Sequence, residues 1–110
     1  MVINIGIILA LVWIHFVADF VLQSDAVAKA KSKSNLVLLQ HVLIYGVLFY
    51  LFGIMYALVN TVLHFIVDWV SSRATSKLWA AGKVHWFFVV IGLDQAIHMT
   101  CLFLTYIWLF

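Results

Sequence analysis

The stretch from Leu36 to Val70 limits the possible folds of this chain more than any other feature, because it holds a single Asp and no Glu, Lys or Arg. As one helix it would run about 52 Å at 1.5 Å per residue, against a bilayer core of ~30 Å. It must therefore fold back. Gly53, between Tyr50 and Tyr56, marks the turn, because tyrosines suit a membrane–water interface. Two more apolar stretches flank this hairpin, from Ile3 to Leu22 and within Val84 to Phe110. About 20 apolar residues cross a bilayer as a helix. The expected fold is all-α: an integral membrane four-helix bundle with spans at about 3–22, 36–52, 55–71 and 85–108.

Composition closes off the alternatives. The chain has 110 residues, 67% of them hydrophobic and 9% charged. Soluble domains sit near half apolar and a quarter charged, so a water-soluble fold is excluded. No stretch is left over for an enzyme domain outside the membrane. The first apolar run has no Lys or Arg before it, exceeds a usual signal core and lacks a small-residue cleavage site, so it reads as a retained helix. With no proline in the chain, mostly continuous helices are expected. The lone Cys101 can form neither an internal disulfide nor a thiolate metal site, and reads as packing.

Orientation follows from charge. All six basic residues fall in two polar segments, Gln23–Asn35 and Ser71–Lys83. The second, with Arg73 and Lys77 beside Leu78 and Trp79, suggests a short interfacial helix between spans three and four. With four spans both segments share a side, which the positive-inside rule makes the cytoplasm, so both termini lie outside. The same rule accounts for the basic charge without nucleic acid.

Function is carried by the acidic residues. Of four, Asp25 lies in a polar segment, while Asp19, Asp68 and Asp94 lie inside apolar spans. A charge at the bilayer centre costs about 2.5–3.5 kcal/mol even on the mild insertion scale, and such residues mark functional sites. Each has a histidine four positions away: His15, His64 and His98 respectively. Four residues is one helical turn, so each pair shares a face, and this is how one helix offers two ligands to one metal. Gln23 and Asn60 extend two of these stripes, and His41 with Tyr45 forms another. Gln95 adjoins Asp94, and Gly92 suggests a close helix approach. Counting along the spans puts all these groups at one level near the cytoplasmic side.

Imidazole and carboxylate donors suit a borderline divalent metal, zinc first, with manganese and iron as alternatives. The expected ligands are His15, His41, His64, Asp68, Asp94 and His98. They exceed what one tetrahedral site needs, which points to one or two ions. Asp19 is the candidate general base or a further ligand. Gln23, Tyr45, Asn60 and Gln95 are candidates for orienting ligands or stabilising an oxyanion. His85, beside Trp86 at a segment boundary, reads as an interfacial histidine.

The segments His15-Phe-Val-Ala-Asp19-Phe-Val-Leu-Gln23, His64-Phe-Ile-Val-Asp68 and Gly92-Leu-Asp94-Gln95-Ala-Ile-His98, with His85-Trp-Phe-Phe, resemble a small bacterial and phage membrane-protein family known only as a domain of unknown function, DUF3307. A more distant similarity, in paired His and Asp on membrane helices, is to inner-membrane proteins described as metal-dependent hydrolases. The leading expectation is therefore a metal-dependent hydrolase in the bacterial inner membrane, acting on a lipid-linked or small ester or phosphoester. The alternatives are a small metal- or proton-coupled transporter working as a homo-oligomer, or a phage-type membrane-permeabilising protein. The aligned His–Asp pairs are unnecessary to the last.

Overall fold

The computed structural model describes residues 3–110. Among them there is no strand, and five α-helices account for most of the chain. Helix α1 (Ile5–Phe16) continues into a π-helical turn, Val17–Val21. Short α2 (Asp25–Ala30) follows, then α3 (Asn35–Phe49) ending in a 3₁₀ turn at Tyr50–Phe52. Helices α4 (Ile54–Ala80) and α5 (Val84–Leu109) complete the chain. The segments Asn35–Phe52, Ile54–Ala80 and Val84–Leu109 are long and apolar enough to cross a membrane, and Ile5–Val21 is a shorter apolar helix.

Local chemistry sets the boundaries. The side chains of Asn4, Ser24 and Ser34 accept from the backbone N–H groups of Ile7, Val27 and Val37, capping α1, α2 and α3. These caps satisfy donors that a helix N-terminus otherwise leaves unpaired. The turn between α3 and α4 is Gly53, at φ 103°, as the sequence indicates. Helix α4 ends in a Schellman turn. Gly82, at φ 74°, donates to the Trp79 carbonyl, and Lys83 donates to that of Leu78. Glycine takes this left-handed conformation without the Cβ penalty.

The structure departs from the sequence expectations at four places. Ser71–Ala80 is not a loop with its own interfacial helix but the last turns of α4. The segment Gln23–Asn35 contains α2. The first apolar helix is not continuous α, because Leu22 donates to the carbonyl of Val17, five residues back. Gly92 faces outward with nothing near it, whereas Gly46 is the glycine against which Thr61 of α4 packs.

The packing is inside-out relative to a soluble domain. Leu51, Trp108 and Val47 are 80%, 75% and 73% exposed, while His15, His64 and Asp68 are each 1% exposed. Apolar side chains thus cover the outside and ionisable ones fill part of the interior. The apolar interior, built on Leu11, Phe49, Tyr56, Leu102 and Tyr106, occupies the end where the Gly53 turn meets the C-terminus, with Phe110 against Tyr56. The polar interior occupies the other end, beneath α2.

Candidate metal centre

Each apolar helix contributes a histidine, and the four meet. The rings of His64 and His98 stack at 4.0 Å, His41 lies 5.2 Å from His64, and His15 lies 5.6 Å from His98. The π-helical turn brings Asp19 into their midst. Such turns are frequent at functional sites, because the extra residue re-aims the side chains that come after it.

Four donors close on one point. His41 Nε2 is 2.9 Å from Asp19 Oδ1, 3.2 Å from His64 Nε2 and 3.5 Å from Asp68 Oδ2. His64 Nε2 is 3.4 Å from Asp19 Oδ1 and 3.5 Å from Asp68 Oδ2. A tetrahedral zinc with bonds of 2.0–2.2 Å separates its ligand atoms by about 3.3–3.6 Å. Three of the five separations fall within that range, and the two shortest, 2.9 and 3.2 Å at His41 Nε2, lie below it. Hydrogen bonding accounts for only two of them, from His41 Nε2 to Asp19 Oδ1 and to His64 Nε2: a ring nitrogen carries at most one hydrogen, yet each of these two faces several acceptors. His64 Nδ1 is buried without a partner.

A second group shares Asp19 with the first. Donor atoms of Asp19, Asp94 and His98 lie within 4.8 Å of one another, as do those of Asp19, His41, His64 and Asp68. His98 Nε2 is 3.1 Å from Asp94 Oδ2 and 3.6 Å from Asp68 Oδ1, yet it is aligned to hydrogen bond with neither and is left as an orphaned buried nitrogen. A buried polar atom lacking a partner calls for an explanation, and a cation between the oxygens and the ring supplies one.

His15 stands outside both groups, contrary to its expected place among the ligands. Gln95 Nε2 donates to Asp19 Oδ2 at 3.2 Å and Asp94 Oδ2 at 3.0 Å. Its Oε1 therefore faces His15 Nε2, at 2.6 Å, and that nitrogen must carry the hydrogen. His15 Nδ1 then accepts from the Tyr45 hydroxyl at 2.9 Å. No lone pair of His15 remains for a metal. It instead contacts Gln95, which donates to two carboxylates. Asp19, the expected base, has Oδ1 on His41 and Oδ2 on Gln95. Asn60 does not reach the centre: its amide donates to the Tyr56 carbonyl and the Thr105 hydroxyl. Gln23 lines the adjoining cavity. His85 is exposed beside Trp86, away from the centre.

Three residues were missed. Lys31 Nζ is 2.8 Å from Asp68 Oδ2, with its side chain only 13% exposed. Ser71 Oγ donates to Asp94 Oδ1 at 2.5 Å. Ser72 is buried and its hydroxyl has no partner. The signal for Ser72 was present, since Asn60, His64, Asp68 and Ser72 continue one ladder at four-residue steps.

A cavity of about 720 Å³ opens beside the centre and reaches Asp19, Asp68 and Asp94. Its other walls come from Phe20 and Gln23, α2, the turn after α2, and the facing parts of α4 and α5.

No curated protein and no solved structure matches the chain. A family model described as a protein of unknown function, DUF3307, matches residues 7–110. The stretch contains every residue of the centre, and the chain belongs to that family.

Proposed function

We propose that this protein is a membrane-embedded metal-dependent hydrolase. Its helices form a four-span bundle in the bacterial inner membrane, termini outside, with the metal centre near the cytoplasmic face. One observation carries the reading: the buried donor cage of Asp19, His41, His64 and Asp68, whose atoms lie within 4.8 Å of one another, three of the five separations being of tetrahedral length. The donor set fits zinc, with manganese and iron as alternatives. Four donors close a tetrahedral site. The three donors Asp19, Asp94 and His98 would leave one position open, the pattern of a catalytic site, and Asp19 belongs to both groups. An ion held there would supply Lewis-acid chemistry, activating water and polarising an ester or phosphoryl oxygen.

The chain's own residues do the rest. Asp94 borders the cavity, with Ser71 on Oδ1 and Gln95 on Oδ2. As one of the three donors, it would hold an ion at the cavity's edge, within reach of a substrate there. His15 and Tyr45 fix Gln95, which fixes Asp19 and Asp94. Helices α3, α4 and α5 exclude lipid and solvent from behind. Buried Leu11, Phe49 and Leu102 fill the opposite half, which favours an enzyme over a transporter, since a transporter needs a polar route across.

The test uses purified protein loaded with zinc, offered lipid carboxylic esters and phosphoesters, with zinc and proton flux into liposomes measured in parallel. Metal-dependent cleavage, lost in Asp94→Asn, is expected without gradient-driven flux. Gradient-driven flux with no cleavage of any substrate would overturn the proposal.

A further inference from the structure

The cavity beside the centre has three chemically distinct walls. The first is cationic and comes from α2 and the turn after it, with Lys29, Lys31 and Lys33. The second is hydroxylic, with Ser71, Ser72, Thr75 and Ser76 on successive turns of α4. The third is aromatic and includes Phe20 and Phe88, which are 49% and 60% exposed on the lipid-like outer surface. At about 720 Å³ the space is of ligand size.

Charge decides what fits. The carboxylates of Asp19, Asp68 and Asp94 balance the three lysines. Two divalent ions would tip the region positive, so a loaded site would call for an anion. Lys31 is the movable part. Its ammonium rests on Asp68 Oδ2, the oxygen that belongs to the four-donor cage, and a divalent ion there repels it. A lysine stem is long and flexible, so the displaced ammonium turns into the cavity. Ser72 adds a buried hydroxyl with no partner, on the same wall as Ser71. Ammonium groups and hydroxyls together are phosphate ligands. Arg73 does not take part: its guanidinium sits over Trp69 and donates to Asn35.

We infer that the cavity binds the phosphoryl headgroup of an anionic amphiphile, with Lys31 and the α4 hydroxyls on the phosphoryl oxygens and the apolar tail leaving over Phe20 and Phe88. This rests on the hydrolase reading and names its substrate class as a membrane phosphoester. The aromatic wall, open to the surface that faces lipid, is what selects an amphiphile over free phosphate.

The experiment measures calorimetric binding of short-chain phosphatidic acid to the zinc-loaded full chain in detergent, with short-chain phosphatidylcholine and inorganic phosphate as comparisons. Phosphatidic acid is expected to bind at least tenfold more tightly than either. Lys31→Gln should weaken it about tenfold while zinc content stays at the wild-type level, because the lysine competes with the metal for Asp68. Lys33→Gln, at an exposed position, tests the cationic wall without risk to folding and should weaken binding about threefold. Equal binding of phosphatidic acid and phosphatidylcholine would overturn the inference. Equal binding of inorganic phosphate would overturn its amphiphile part. Selective, lysine-dependent binding in a protein that holds no zinc would instead support the headgroup site while removing the hydrolase reading.

Discussion

Asp68→Asn separates a metal centre from a network of hydrogen bonds. Asp68 is the hub: Oδ2 lies 2.8 Å from Lys31 and 3.5 Å from both His41 and His64, and Oδ1 lies 3.6 Å from His98. Asparagine keeps the size and an oxygen that accepts from Lys31, but it is neutral and a poor metal donor. Structural zinc binds with ~10–16 kcal/mol, which over four donors is about 2.5–4 kcal/mol each. At 1.4 kcal/mol per tenfold, the variant should bind zinc about a hundred- to a thousandfold more weakly. The fold should survive, because the Lys31 ammonium keeps an acceptor in the asparagine oxygen and its flexible stem also reaches the cavity and water. A competition titration against a chromophoric zinc chelator reads the affinity, and circular dichroism checks helix content. Wild-type affinity in a folded Asp68→Asn protein would rule out Asp68 as a ligand, since a hydrogen-bonded network tolerates this change and a ligand set does not.

Other consequences are smaller. Asn60→Ala should leave zinc binding untouched and destabilise the protein by about 0.6–1.7 kcal/mol, the range for hydrogen bonds between membrane helices, because it loses its bond to Thr105 on α5; a reversible detergent unfolding titration checks this. Gly46→Ala should cost about 1–3 kcal/mol in the same titration, because the added methyl group meets the Thr61 side chain, whose hydroxyl is already bonded to the Ala57 carbonyl. In a Cys101→Ser background, cysteine at Lys33 should be shielded from an impermeant thiol reagent in intact cells, and cysteine at Leu51 should react. The reverse labelling would invert the proposed orientation.

Much of the fold and the centre was legible in the sequence because the signals were strong and local. The length of the Leu36–Val70 run forces a hairpin, and Gly53 is where it turns. The four-residue spacing of His64 with Asp68, and of Asp94 with His98, survives because α4 and α5 are regular helices through those positions. Where the backbone departs from regularity, the spacing misleads. His15 and Asp19 also stand four apart, but the π-helical turn begins between them, and Asp19 enters the centre while His15 supports it. Nothing in Val17–Val21, free of proline and glycine, announces that turn. The end of α4 was missed because Ser71, Ser72, Thr75 and Ser76 look like a loop by composition, whereas Gly82 rather than Ser71 ends the helix. Lys31 was hidden for a different reason: a basic residue near a span is expected from topology alone, and only the placement of α2 shows its ammonium on Asp68.

Whether the four histidine-bearing helices enclose a metal can be read by X-ray absorption at the zinc edge, on protein purified with zinc and washed free of excess. The expected result is near-stoichiometric zinc, up to two ions per chain, with a nitrogen and oxygen first shell at about 2.0–2.2 Å, the outer scattering of imidazole rings and no sulfur. Protein that retains no zinc, or zinc with only exchangeable water around it, would contradict a metal centre at this position.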